Sequence, residues 1–461
     1  MNLEEWDQHL SIKDSYDVCK RQIVVLNKTI TIYYVSSLID GIQAIEVLAS
    51  LLRIPHSYNF NIEVLKQNLA HLDVSLLDFS KNYKQIEEAL LLGVLLIFAD
   101  QDVLTVDIRK YPVRAISEPD TEKVIRGAHD GFNESLNTNI GLLRRKIKDI
   151  NLRTEVYKIG IDSPTDICLA YIDGLCDEAL LLDAKARIKK ANPSHLMMTD
   201  KSLEELLLKQ KFNPYPLVRY TERADIVAVH LYQGMFAIFV DTSPSVILAP
   251  ATFFDHIQHT EEYRQTPLSG TFLRLVRFIG VFISLFLTPL WLLYLKSNLT
   301  FLDILRPTEL PAVPISAQIL ISEISIEFLR MASIHTPSAL STAMGLIAGF
   351  ILGDLAVSVN IFSQVTVLVV AISAIGTYVT PSYELGLANK LAKLFFIIAI
   401  LIGNFYGFCI ALTIWFIILL RLKSFNKPYL SPLFPLRVKG LLKLMIRYPS
   451  KNVKEAKKCQ N

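Results

Sequence analysis

What the sequence does not contain narrows its function first. Its five cysteines, Cys19, Cys168, Cys176, Cys409 and Cys459, form no CxxC pair and follow no regular spacing. That argues against a disulfide framework. Residues 1–270 hold no glycine-rich phosphate loop, no GxSxG elbow, no HExxH helix and no spaced Cys/His pattern, so the motifs that announce nucleotide, acyl-transfer or zinc chemistry are missing. The best metal candidate, His256-Ile257-Gln258-His259 with Asp255, Glu261 and Glu262, sits among polar neighbours that fit a solvated linker helix. The group His129, Asp130 and Glu134 fits a helix start with acids in its first turn. The expectation is a protein that is no enzyme, with no catalytic residue, cofactor or metal. A signal peptide is also missing: the chain opens on the acidic, polar MNLEEWDQHLSIKDS, so its N-terminal domain is expected to stay in the cytoplasm.

What the sequence does have is apolar length. Of its 461 residues 51% are hydrophobic, and they are unevenly spread: 278–295, 340–357, 363–380 and 394–420 are long runs with few charges, whereas residues 1–270 read as ordinary globular sequence. Charge is divided in the same way. Residues 1–270 carry a net −8, residues 271–420 a net +1 and residues 421–461 a net +10. A basic tail after the last apolar run belongs on the cytoplasmic side, against anionic membrane lipid. Nucleic acid is the rival partner, but the tail has no interleaved aromatic platform, and no nucleic-acid role is expected.

In the first 270 residues, QIVVLNKTITIYYV from Gln22 predicts a hairpin turning at Asn27-Lys28, and GVLLIFADQDVLTVDI predicts a second turning at Asp100-Gln101-Asp102. Helices are expected over 41–52, in the 61–90 region, from about Asp130 to Ile147 and over 177–190. Strands are expected at 153–159 and 166–172, and a β-rich region is expected over ADIVAVHLYQGMFAIFV and SVILAP. The hairpin pattern recurs without a fixed period, which suggests two lobes and no solenoid.

The whole is read as a two-lobed α+β or α/β N-terminal domain followed by an α-helical polytopic membrane domain. The subdomains fall at 1–110 and 111–265. A transmembrane region at 270–435 holds four to five spans plus a charged amphipathic or re-entrant helix over 316–333, and a basic cytoplasmic tail occupies 436–461.

That charged helix, SAQILISEISIEFLRMA, places Glu323, Glu327 and Arg330 at i, i+4 and i+7 on one face of an otherwise apolar surface. Among membrane spans such a stripe needs water or a partner, which makes the three residues pore-lining candidates; the alternative is an internal ion pair of Glu327 with Arg330. A ring of acids from several copies would favour cations. Arg274 and Arg277 anchor the first span on the cytoplasmic side, and Pro307, Pro311 and Pro314 keep the charged helix from starting earlier. The expected arrangement has that helix re-entering or crossing only in part, which leaves both termini inside; the alternative is a full crossing, with 394–420 broken into a hairpin near Gly403 and Gly407 to restore parity. Gly345, Gly349 and Gly353 form a small-residue stripe suited to helix packing or an oligomer interface.

Pro112, Arg114, Glu118-Pro119, Glu122, Arg126-Gly127, Asp130-Gly131-Phe132, Glu134, Asn139, Leu142 and Arg144-Arg145 resemble the signature of the A subunits of GerA-type spore germination proteins. Glu327 to Arg330, Pro337, the three glycines, Pro381 and the closing Pro428-Tyr429-Leu430-Ser431-Pro432 follow in that family's order. RMASIHTPSALSTAMGL, TPSYELGLANK and RFIGVFISLFLTPLW resemble a branch of the family apart from the nutrient-receptor A subunits. Those usually carry an acidic residue and an alanine after the arginine and an arginine near 335, where this chain has Met331, Ala332 and His335.

The resemblance implies a membrane subunit of an oligomeric, ion-conducting complex in the inner membrane of a bacterial spore, amplifying ion release during germination. The implied partners are further copies of the chain, a small membrane protein and other germination-complex subunits. Two rival readings are a non-conducting scaffold or regulator and a secondary transporter; against the transporter, the spans are few and no paired broken helices are evident.

Overall fold

The computed structural model describes residues 3–447 apart from 56, 100–101, 112–129, 209, 211, 298–302, 308–310 and 336–356. The chain forms two compact units, one built from Met1–Gln210 and Val218–Pro250, the other from Lys211–Leu217 and Ala251–Lys451. Residues 251–265, assigned to the soluble part from sequence, therefore go with the helical unit, as does the short segment 211–217.

In the first unit α1 (Leu3–Leu10) precedes β1 (Val18–Val25), β2 (Lys28–Val35), α2 (Gly41–Leu52), α3 (Ile62–Asn68), β3 (Asp73–Asp78), α4 (Tyr83–Leu91), β4 (Leu95–Ala99) and β5 (Asp102–Asp107). A second set follows: α5 (Leu136–Lys146), β6 (Leu152–Ile159), β7 (Thr165–Ile172), α6 (Glu178–Lys190), α7 (Thr199–Leu208), β8 (Arg219–Thr221), α8 (Ala224–Tyr232), β9 (Phe236–Val240) and β10 (Val246–Ala249). The strands make two five-stranded antiparallel sheets ordered β1-β2-β4-β5-β3 and β6-β7-β9-β10-β8. From β1 to β5 and from β6 to β10 the chain repeats one sequence of elements: two strands, two helices, a strand, a helix, two strands. Raising each strand number by five turns the first order into the second. The lobes are topological duplicates, and because no strand pair within a sheet is parallel, they are α+β in character.

The hairpin of β1 and β2 turns at Leu26 and Asn27, both with positive φ (50° and 63°), the twist that suits a two-residue antiparallel connection. Lys28 is already in the strand. Helix α5 begins at Leu136 and not near Asp130, because the preceding residues are held as loop. The Phe132 amide donates to the Glu222 carbonyl at 2.7 Å and the Asn133 amide to Asn139 Oδ1 at 2.8 Å. The 61–90 region is interrupted by edge strand β3. Residues 224–232, expected to be β-rich, form α8. Ala224, Val227, Ala228 and Leu231 recur at helical spacing and are buried in the core with Leu142 and Phe239, and that burial outweighs the strand preference of Ile226, Val227 and Val229.

A buried ion pair joins the lobes. Arg144 Nε and Nη2 donate to the two carboxylate oxygens of Asp17 at 2.9 and 2.8 Å, and the Thr154 hydroxyl donates to the same carboxylate at 2.7 Å. Asp17 is fully buried and Arg144 nearly so. Burial alone would raise the Asp17 pKa, but the Arg144 charge and the hydrogen bonds from Arg144 and Thr154 hold it below the ordinary carboxylate value of 3.8.

The second unit holds α9 (Thr260–Arg264), α10 (Pro267–Lys296), α11 (Ile315–His335), α12 (Gln364–Val379), α13 (Tyr383–Arg421), the short hairpin of β11 (Lys423–Ser424) and β12 (Lys427–Pro428), and α14 (Val438–Met445). Two of these, α10 and α13, are long and apolar enough to cross a membrane. Helix α13 is not straight, since Asn404 has non-helical torsions (φ 48°, ψ −130°). The Phe396 ring lies 5.8 Å from the rings of both Phe408 and Trp415, residues that a straight helix would carry roughly 18 and 28 Å further along. The run folds back into two arms, 383–403 and 405–421, with the break between Gly403 and Gly407. A side chain on Gly407 would collide with the Ala399 carbonyl across the turn. Lys296, at the end of α10, donates to the Ile400 carbonyl and to Asn404 Oδ1, both at 3.0 Å, which satisfies the C-terminal end of the first arm. The core of this unit gathers Leu285, Trp291, Ile319, Val369, Phe396 and Ile400.

Helices α10 and α12 meet through glycine. A Cβ on Gly376 would stand 2.5 Å from the Gly280 carbonyl oxygen, so backbone meets backbone there as in small-residue helix crossings. The stripe Gly345, Gly349 and Gly353 lies outside the described residues.

Two outcomes are expected. Asp17→Asn should lower the unfolding free energy by about 3–5 kcal/mol, the cost of leaving one partner of a buried pair uncompensated. Because the Asp17 pKa is depressed on folding, its contribution is present above 3.8 and lost as the pH falls through the lower folded-state value, so denaturation curves of parent and variant should converge in acid. Gly376→Leu should cost about 1–3 kcal/mol through overpacking, read as a lowered melting temperature of the purified chain.

Candidate functional site

Helix α11 contains neither proline nor glycine and starts directly after Pro314, whose carbonyl accepts from the Ala317 and Gln318 amides at 2.9 and 3.0 Å. Gln318 is fully buried; its Nε2 donates to the Val313 carbonyl at 2.7 Å and its Oε1 accepts from the Ser363 amide at 3.0 Å. One side chain thereby ties the starts of α11 and α12 together. Ile321, Ile324 and Phe328 on α11 are exposed.

The opposite face is charged and covered. Glu323 meets Lys393 at 2.6 Å, and both side chains are almost wholly buried, 3% and 1% exposed. Lys393 Nζ also donates to Ser373 Oγ of α12 at 3.0 Å, and Ser373 Oγ to the Ser284 carbonyl of α10 at 3.4 Å. One turn along α11, Glu327 accepts from Lys390 at 2.8 Å, with the glutamate 20% and the lysine 8% exposed. A further turn on, the Arg330 guanidinium lies 4.2 Å from the centre of the Tyr383 ring, within cation–π range. Asn389, beside these lysines, is 1% exposed, and neither atom of its amide has a hydrogen-bond partner among the described residues.

The face shared by Glu323, Glu327 and Arg330 is thus as the spacing predicts, but its partners lie elsewhere. Glu327 pairs with Lys390 and not with Arg330, and both lysines come from the first arm of α13. Sequence reading missed Lys390, Lys393, Asn389 and Ser373. Their signal was present in NKLAKLFFII, two lysines at i and i+3 opening an apolar run with no acid beside them. The side chain of His335 lies outside the described residues.

The acid and histidine cluster near residue 256 is used structurally. The Asp255 carboxylate accepts from the Thr252 amide and hydroxyl at 2.8 and 2.7 Å, and His259 Nδ1 caps α9 by accepting from the Glu261 amide at 3.2 Å. Glu262, 1% exposed, pairs with Arg274 at 2.8 Å and with Arg277. Among the described residues no three His, Cys, Asp or Glu side chains converge to hold a metal ion.

The sequence pattern of the family Bacillus/Clostridium GerA spore germination protein matches residues 7–459. The chain belongs to this family. Among its GerA-family relatives from Bacillus subtilis (strain 168), stage V sporulation protein AF is 40% identical over 97% of this chain and 92% of its own. Spore germination protein KA is 32% identical over 95% and 82%, and spore germination protein A1 is 30% identical over 96% and 92%. The greater identity to the AF protein agrees with Met331 and His335 standing where receptor A subunits usually carry other residues. The solved N-terminal domain of the A subunit of the Bacillus megaterium germinant receptor GerK3 is 28% identical, with a TM-score of 0.40, covering 55% of this chain and 94% of that domain.

Truncating the two glutamates should separate their surroundings. Glu323→Ala strands a buried lysine, and about 3–5 kcal/mol of stability should go with it. Glu327→Ala, at the more open pair, should lower the melting temperature less.

Proposed function

We propose that this GerA-family chain is a subunit of an oligomeric cation channel in the inner membrane of the bacterial spore, amplifying ion release during germination. Family membership supports the germination role. The observation that carries the channel reading is an inversion of the usual order: the helical unit keeps Glu323, Glu327, Lys390 and Lys393 largely inside and turns Ile279, Phe282, Phe328, Ile375 and Ile410 outward. Apolar helices with charge inside suit lipid around them, and charge at membrane depth marks ion routes.

The fold-back at Asn404 bears on topology. With α11 crossing fully at roughly 31 Å, and with α10, the apolar run 340–357, α12 and the two arms of α13 as further crossings, the number is even. The N-terminal lobes and the basic tail then share the cytoplasmic side, as Arg274, Arg277 and the +10 tail favour. The GerA family supports further germination subunits as partners, and the three-glycine stripe supports contacts between copies. Membrane lipid surrounds the helices, and Glu327, the more exposed acid, is the candidate pore carboxylate.

A second reading, a non-conducting scaffold or regulator, is favoured by one observation: both carboxylates already have a lysine of the same chain. Ion flux from liposomes holding the purified chain, with and without its germination partners, separates the two. The channel reading expects cation flux whose preference over anions falls in Glu327→Gln. Flux with unchanged selectivity moves the pore away from Glu327, and no flux from any folded combination leaves the scaffold.

A further inference from the structure

Building on the channel reading, we infer that Lys390 and Lys393 hold the path shut and set its charge preference. Each lysine cancels one acid of α11, Lys393 the charge of Glu323 at 2.6 Å and Lys390 that of Glu327 at 2.8 Å. A seam neutralised pair by pair offers a passing cation nothing, whereas the same acids with their lysines drawn aside form the carboxylate lining that favours cations. Selectivity therefore depends on α13 as much as on α11.

Burial gives the order of opening. The Glu323–Lys393 pair is sealed among α10, α11, α12 and α13, with the lysine also donating to Ser373, whose hydroxyl donates on to the Ser284 carbonyl. The Glu327–Lys390 pair is partly open, so solvent can take up the separated charges and parting it costs less. Separation starts at Glu327 and proceeds towards Glu323.

Asn389 supplies the reason that the closed arrangement is not too deep a well. It lies next to Lys390, one turn from Lys393 on the same helix face, buried and with neither amide atom bonded among the described residues. Leaving such a group unbonded costs free energy. Once a pair parts, the amide has a donor for the released carboxylate and an acceptor for the released ammonium. Closed and parted arrangements are brought closer in free energy, as a switch between two states requires.

The test uses liposomes containing the full chain and reads potassium efflux and the reversal potential in a potassium chloride gradient. Lys390→Gln should raise unstimulated potassium efflux about tenfold and increase the preference for potassium over chloride, within the range of ordinary coupling between states. Lys393→Gln alone strips a sealed carboxylate of its partner and threatens folding, so the inner pair is tested by exchange. Glu323→Lys combined with Lys393→Glu should recover the melting temperature that Glu323→Lys alone loses, and should shift the open-state reversal potential towards chloride. If the parent conducts and Lys390→Gln shows the same efflux and selectivity, the inference fails while the channel reading stands. If neither the parent nor any folded variant conducts, the channel reading fails and the gating role falls with it.

Discussion

A glutamate and a lysine sealed among apolar helices keep their charges only while each has the other, since either one alone would have lost its water without return. Much of the helical unit follows from that constraint at Glu323 and Lys393. Helix α11 is pressed against the first arm of α13, Ser373 of α12 satisfies the lysine a second time, and the serine reaches α10 through the Ser284 carbonyl. Four helices are fixed by one charge pair and the hydroxyl beside it. The apolar residues around them supply bulk, but apolar contact does not choose a register, and this contact does.

The two-lobed unit uses the same device for another end. Asp17 comes from the first lobe, Arg144 and Thr154 from the second, and between them every carboxylate oxygen of Asp17 is bonded. Beside it the Tyr16 amide donates to the Thr154 carbonyl at 2.8 Å, and Ile150 of the second lobe packs against the Trp6 cluster of the first. The buried ion pair supplies direction where apolar burial supplies only attraction.

The legible features were those carried within one element. The acidic face of α11 was readable because i, i+4 and i+7 lie within a single helix, and the fold-back was readable because Gly403 and Gly407 weaken the helix on either side of Asn404. Partner choice was not readable: Lys390 lies 63 residues from Glu327, and spacing along one helix does not say which helix will cover it. The strand signal over 224–232 misled because β-branched side chains also fill a buried helix face when Ala224, Ala228 and Leu231 set the period. The duplication of the lobes escaped notice because topology repeats without any repeat of residues.

The spacing of the paired charges has a consequence for how α11 finds its place. The acids are four residues apart on α11 and the lysines three apart on the first arm of α13, and the pairs run in opposite senses, Glu323 to Lys393 and Glu327 to Lys390. Slide one helix by a turn and a single pair survives, with one acid and one amine stranded. Among helices greasy enough to pack in several alignments, the two pairs act as a key with two teeth, and only one alignment engages both.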